Sequence, residues 1–514
     1  MKKIFYVLGL VAATSLVGCD QDLLNTAPTD EISAETMITD ATGAQVAVSG
    51  IYTYMYQTAG ASSWAQENYG ILAKTLAFDL MGEDNYIYDA GSQWYWYDHC
   101  LDVDGDYTRS YGRQGQQWNY YYTIISQANY VIAKEEALVQ EGFAGQDVVA
   151  QAYAIRAFAY NALAEWFCQG NYAENSETPG VPIYTTPTSM DTKGQPRGTL
   201  ADTYTQINAD YKAAYDLFSI VAKGGYKKTH VSHIDLYTTC VLWARTALAQ
   251  GEWQKAYDLA TEALTKPGLV QVATVKALGG FNDSSVGDVL WGFQVVADQT
   301  GPYGPFMSHI DPYNGAFCST EKKCFSDELY ASIPETDERL AWITTDPFLD
   351  DEGEVVLEDV PVCQKFLYKD VATAVADQIV VRAEEAILIA AEAACRLKDW
   401  TNARALLTQL GSVRDTAYAD RLKALTDSEL FNEDTTAALS PITLMDEVLW
   451  QRRVELWGEG PGRLYDLKRL NLGYTRSIDD MVAKPGDYRF TLLIPQKEFD
   501  TNPAIKPADQ NPRK

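Results

Sequence analysis

Residues 382–414 read RAEEAILIAAEAACRLKDWTNARALLTQLGSVR, and this stretch decides the fold class. Ile387, Ala390, Ala391, Ala394 and Leu397 recur every three or four residues, which puts them on one face of a helix. Lys398-Asp399-Trp400 breaks the period, and it resumes towards Leu410, so the spacing predicts two helices joined by a tight turn. Residues 235–264, DLYTTCVLWARTALAQGEWQKAYDLATEAL, repeat the plan around Gly251-Glu252-Trp253. Trp253 and Ala256 correspond to Trp400 and Ala403. A small residue at that position lets two antiparallel helices cross closely.

Such pairs are of tetratricopeptide (TPR) type, and here they stand far apart rather than in tandem. The expected fold is therefore mostly α, with TPR-like hairpins as a scaffold and long loop-rich insertions. Ile155, Phe158, Ala159 and Ala162 carry the same helical period within Ala150–Trp166, with Arg156 and Glu165 off the stripe. Glycine and proline mark the insertions: Gly82, Gly91, Gly105, Gly112 and Gly115 in 82–118, four prolines in 171–200, and Gly279-Gly280, Gly301-Pro302 and Gly304-Pro305 in 265–325. Loops on a rigid scaffold are where function concentrates.

At the N-terminus, Lys2 and Lys3 precede an apolar run, Ile4 to Val17, too short to span a bilayer comfortably and of signal-peptide length. It ends in Leu16-Val17-Gly18-Cys19, which resembles a lipobox: cleavage before Cys19 and lipidation of its thiol. Several acyl chains anchor stably where one does not. Asp20 and Asp22 resemble a surface-export signal. The expected organisation is signal peptide 1–18, lipidated tether 19–40, an N-terminal region 41–225 carrying the aromatic insertion, and a C-terminal region 226–514 with the TPR-like units.

The net charge is −29, and cleavage removes Lys2 and Lys3 but no acid, taking it to about −31. Such a surface repels phosphate backbones, which argues against nucleic acid as a partner. Of eight cysteines, seven remain after lipidation, an odd number without regular spacing, so no disulfide framework is expected. Cys318 and Cys324 bracket a short polar loop, a spacing that allows them to pair.

Tyrosine and tryptophan are abundant, 33 and 12 against 16 Phe, and both pair an apolar face with a polar tip. Asn85-Tyr86 leads to Gln93-Trp94-Tyr95-Trp96-Tyr97-Asp98, rings with no helical face to serve. On a strand, Trp94 and Trp96 would share a side. Ring faces pack against sugar C–H groups while Asn and Asp reach hydroxyls, so Asn85, Tyr86, Trp94, Trp96, Tyr97 and Asp98 are candidate glycan contacts. Tyr303, Phe306, Tyr313 and Phe317 form a second candidate group. Trp291, ahead of an apolar run, reads as core, and packing beneath the loops is the alternative for the other rings.

Catalytic signatures are missing: no Gly-x-Ser-x-Gly, phosphate loop or His-Glu-x-x-His occurs. His230 and His233 lack a third metal ligand. Asp102, Asp104 and Asp106 open like a calcium loop, but Tyr107 replaces its glycine and Arg113 its bidentate Glu. No metal and no cofactor is expected. The charged run Arg452, Arg453, Glu455, Glu459, Arg463, Asp466 and Arg469 alternates in sign and reads as ion pairs fixing a helical hairpin.

One set of ordered motifs remains. It comprises Arg382-Ala-Glu-Glu-Ala with the Trp400 turn, Val413-Arg414, Arg452-Arg453-Val-Glu455-Leu-Trp-Gly-Glu459-Gly, Arg463-Leu-Tyr-Asp466, Leu493-Ile494-Pro495-Gln496 and Asn502-Pro503. Earlier stand Ala44–Tyr52, Trp118–Val131 and Glu328–Arg339. In this order they resemble the SusD/RagB family of outer-membrane nutrient-binding lipoproteins over nearly the whole mature chain. Gly460-Pro461-Gly462-Arg463 is one residue longer than the family's Glu-Gly-x-Arg turn and leaves the next helix start open. The resemblance implies a SusD-like helical fold that captures glycans at the cell exterior for a SusC-like TonB-dependent transporter, without covalent chemistry. A lipid-anchored glycoside hydrolase, and a TPR-type protein- or peptide-binding scaffold, remain the other readings.

Overall fold

The computed structural model describes residues 37–57, 65–88, 94–101, 112–189, 191–228, 230–301, 303, 305–350 and 352–513. The lipobox with Cys19 and the Asp102, Asp104 and Asp106 spacing lie outside them. The fold is mostly α. Eleven helices are labelled here in chain order: α1 Ala41–Tyr56, α2 Ile71–Leu80, α3 Gly112–Ile132, α4 Phe143–Phe167, α5 Leu200–Lys223, α6 Leu236–Gln250, α7 Trp253–Ala263, α8 Ala383–Arg396, α9 Trp400–Arg414, α10 Leu444–Glu455 and α11 Arg463–Arg469.

Local chemistry sets many of their ends. Asp40, Asp235 and Asp399 accept backbone N–H groups in the first turns of α1, α6 and α9, while Thr199 with Asp202 and Thr443 with Asp446 form capping boxes on α5 and α10. Both predicted hairpins form, α6–α7 and α8–α9. Gly251 closes α6 at a φ of 74°, a left-handed position suited to glycine. Ala256 and Ala403 are fully buried where each pair crosses.

The two units, distant in sequence, are neighbours in space. α3, α4, α5, α6, α7, α8 and α9 pack successively, and α7 lies directly on α8. The intervening insertion leaves and returns through one antiparallel pair of strands, Val289–Phe293 with Gln378–Arg382, so its ends meet at the stack. Arg245 of α6 donates to Glu385 of α8 at 2.7 and 2.8 Å, a bidentate tie between the units.

A stripe was expected on α8, yet Ala383 to Cys395 are buried all round, Glu384, Glu385 and Glu392 included, while Leu397 is 38% exposed. Arg156 of α4 is buried too, paired with Asp210 of α5 at 2.6 Å. α8 runs through the middle of one core that extends from Ile38 to Ile494, with Trp291 wholly inside.

The charged run does form ion pairs, and these reach beyond its own hairpin. Arg452 meets Asp466 at 2.9 Å within it. Glu455 instead receives Arg382, Arg414 and Arg339 at 3.0, 2.8 and 3.3 Å, and Glu459 receives Arg382 and Lys365. Arg463 pairs with Glu83 at 2.7 Å and Arg469 with Glu392 at 2.6 Å. The longer turn is absorbed by glycines: α11 starts at Arg463, and Asp79 of α2 caps it by accepting from the Arg463 and Gly458 amides at 2.7 and 2.6 Å. Gly462, at a φ of 77°, sits where a Cβ would come within 2.6 Å of Phe78.

Candidate functional site

Strand pairing brings the two aromatic insertions together. Asn85–Tyr88 runs antiparallel to Lys322–Phe325, matching Asn85 with Phe325 and Tyr86 with Cys324. These strands belong to a four-stranded sheet completed by Val362–Cys363 and Ile343–Thr344. Tyr86 and Cys324 pack in a small apolar cluster there. Cys318 and Cys324 are both buried free thiols, so the bracketing pair forms no disulfide.

The segment after the first strand is not extended. Trp94 stands in a turn, Tyr95 takes a φ of 60°, and Trp96–Cys100 is a short helix. The shared face expected for Trp94 and Trp96 is thus replaced by two different settings. The cause is Tyr95, whose side chain is buried while its N–H donates to Glu67 at 2.6 Å and its hydroxyl to the Glu67 carbonyl at 3.3 Å. The Trp94 N–H donates to Glu321 at 3.1 Å.

Trp94, half-buried, lies 4.7 Å from Phe317 and 6.1 Å, edge-on, from His309. Tyr303, 71% exposed, lies 6.1 Å from Phe317. Beneath these rings His309 stacks between Tyr69 at 5.2 Å and Phe317 at 4.7 Å, and donates to the Gln66 carbonyl at 2.7 Å. Burial pushes the His309 pKa down to about 3, keeping the ring neutral. Tyr303 also lines a cavity of about 280 Å³ with Tyr56, Asp298, Gln299, Phe306 and Gln378. The result is an aromatic face on a rigid ring stack beside a polar-edged hollow.

The other candidates separate from it. Trp96 is half-buried and leans on His99 at 5.3 Å; Tyr97 is half-buried. Asn85, Tyr86 and Asp98 have at most 3% of their surface exposed, and Tyr86 packs with Cys324 in the small cluster apart from the Trp94 rings. Asp98 accepts from Arg113 of α3 at 2.5 Å, and the same guanidinium reaches Glu67 at 2.8 Å. Burial raises the Glu67 carboxyl pKa against the pull of Arg113. Tyr313, 51% exposed, stacks on Phe348 at 5.5 Å and donates to Gln364 at 2.7 Å, forming a patch of its own. His309 and Tyr69 were not among the expected site residues. Only the density of rings around them in sequence signals their place.

His230 and His233 have ring centroids 5.8 Å apart, and His233 stacks on Tyr52. Among the described residues no group of three or more His, Cys, Asp or Glu is placed to hold a metal, and no helix is long and apolar enough to cross a membrane.

Comparison with known proteins sets this geometry in context. Residues 29–240 match a family model described as starch-binding and associating with the outer membrane, and residues 362–513 match the SusD family model. No curated protein matches. A solved SusD-like carbohydrate binding protein from Bacteroides vulgatus superposes with a TM-score of 0.76 at 20% identity, covering 92% of this chain and 98% of its own. A SusD superfamily protein from Bacteroides thetaiotaomicron gives 0.72 at 23%, with 92% and 100% covered. Surface glycan-binding protein A from Bacteroides uniformis gives 0.66 at 18%, with 91% and 99% covered. At these identities the likeness concerns the fold.

Proposed function

The chain belongs to the SusD family, and on that premise we propose that it is a lipid-anchored surface protein that captures oligosaccharide or polysaccharide and passes it to a SusC-like TonB-dependent transporter. The observation that carries this reading is the meeting of Trp94, Phe317 and Tyr303 on one face beside the 280 Å³ cavity. Ring faces offer a platform for sugar C–H surfaces, and Asp298 and Gln299 at the cavity offer partners for hydroxyls. Trp96 and Tyr97 flank this platform in sequence and belong to the same proposal. Tyr313 is a separate candidate. The described relatives named as carbohydrate- or glycan-binding share this architecture, which supports the ligand class.

Capture rather than cleavage is the proposed activity. A glycosidase needs two carboxyl groups facing the sugar at roughly 5–10 Å. Glu67, Asp98 and Glu321, packed against the platform's segment, are at most 3% exposed and accept hydrogen bonds from Arg113, Tyr95 or Trp94. Among the described residues this leaves Asp298 as the one carboxylate lining the cavity, without a second beside it there. The test combines a glycan array on purified residues 20–514 with a reducing-end assay on every glycan bound. Binding without release of reducing ends is expected. Steady turnover that vanishes when one Asp or Glu is neutralised would replace capture with hydrolysis.

A further inference from the structure

A larger cleft, about 360 Å³, opens elsewhere, lined by α3, by Tyr184, Thr188, Ser189 and Thr192, and by the short helix Gln496–Thr501. This volume falls within the range of about 300–1,000 Å³ typical of ligand pockets. Two half-buried rings make most of its floor, Tyr122 and Tyr184, edge-on at 6.0 Å, with Trp118, 5% exposed, packed beside Tyr122 at 4.9 Å. Their polar tips are all tied back into the protein. Trp118 Nε1 donates to Glu498 at 3.2 Å, the Tyr122 hydroxyl to the Pro182 carbonyl at 2.8 Å, and the Tyr184 hydroxyl accepts from the Gln195 N–H at 3.0 Å. The rings are thereby fixed in place, and their apolar surfaces are what they contribute to the cleft.

The rim is neutral and polar. The Ser126 and Thr188 hydroxyls meet at 3.0 Å, and the exposed Asn119 side chain has no partner among the described residues. Lys497 stands next to Glu498, so the rim carries no excess of either charge to favour a phosphate or a carboxylate. Apolar rings under a rim of hydroxyls and amide suit a ligand with C–H on its faces and O–H at its edges, which is a pyranose.

The cleft shares no lining residue with the cavity of the first site. α3 reaches both, because Arg113 in its first turn holds Asp98, four residues after Trp94. Trp118, five residues on, is rotated about 140° round the helix from Arg113. We propose that this cleft is a second saccharide site; the proposal rests on the reading that the protein's ligand is a saccharide.

Gly115 lines the cleft, and a Cβ built on it meets nothing within 4 Å. Gly115→Arg therefore obstructs the mouth without disturbing the fold, and Gly115→Ala is the matched control. Both replace a glycine inside a helix with a better helix former. The probes are the trisaccharides of α-1,4-glucose, β-1,4-glucose, β-1,4-mannose and β-1,4-xylose, too short to bridge distant sites, titrated calorimetrically. For a bound trisaccharide the expected stoichiometry is two in the wild type and Gly115→Ala, falling to one in Gly115→Arg, while in Trp94→Ala one of the two equivalents weakens roughly five- to thirtyfold and the other is unchanged. A single equivalent that survives Gly115→Arg and is weakened in Trp94→Ala overturns the cleft and leaves the proposed function standing. A single equivalent with the opposite response supports the cleft and removes the aromatic face. Binding of none of the four by the wild type overturns both.

Discussion

His309 carries the aromatic face and makes it sensitive to acid. Its pKa is lowered from 6.5 to about 3, first by burial and then by Lys323 and Arg113. In the unfolded chain the ring takes up a proton near pH 6.5, while the folded protein resists until about pH 3. The unfolded state therefore binds more protons between these values, and stability falls as the pH drops through that window. Between pH 7 and 5 this one group removes about 2 kcal/mol. His309→Gln should unfold in denaturant with a pH slope shallower by that amount, even if its stability at neutral pH is lower. An unchanged slope would contradict the neutral, buried ring. Beside it, Tyr95 shows where a sequence reading stops. Alternation can place Trp94 and Trp96 together only on a strand, and a tyrosine at a φ of 60° is rare enough that local pattern does not foretell it. Contacts with Glu67, a distant residue, hold that turn in place.

At the scale of elements, the hairpins were legible because their signals are local. The period of α8, the Trp400 turn and the small Ala403 all fall within one stretch, as do their counterparts around Trp253. The partners of the charged run were not, since Glu455 is bound by Arg414 and Arg339 from 41 and 116 residues away. Sign alternation announces ion pairs but does not name long-range partners. Glu455 ties α10 to α9, to the N-cap residue of α8 and to the 338–342 turn. Removing one partner of a buried ion pair leaves uncompensated charge and typically costs about 3–5 kcal/mol. Glu455→Gln should lose that much in chemical denaturation, with glycan affinity retained in whatever fraction stays folded. A loss below about 1 kcal/mol, the scale of an exposed ion pair, would show that the cluster is not the clamp its geometry describes.

For the whole molecule, composition and motif order indicated a helical, acidic, exported protein, and the family and fold follow that reading. The convergence of two loop regions on one face was not legible, because it depends on the pairing of Asn85–Tyr88 with Lys322–Phe325 across nearly half the chain. The anchor remains a sequence-based proposal. Cys19→Ala should leave the protein unlipidated and move it from the membrane fraction to the soluble one. Continued membrane partition with no acyl mass on native Cys19 would defeat the lipobox reading. The central claim, saccharide capture on the Trp94–Phe317–Tyr303 face, is tested most directly by titrating the array-selected oligosaccharide into wild type, Trp94→Ala, Trp96→Ala and Tyr303→Ala, with thermal melts alongside. A stacked ring is worth about 1–3 kcal/mol on comparable platforms, and sugars stack less completely than bases. Trp94→Ala and Tyr303→Ala should therefore each lose about 1–2 kcal/mol, roughly five- to thirtyfold in affinity, while remaining folded. Unchanged affinity in both of these variants would contradict the account.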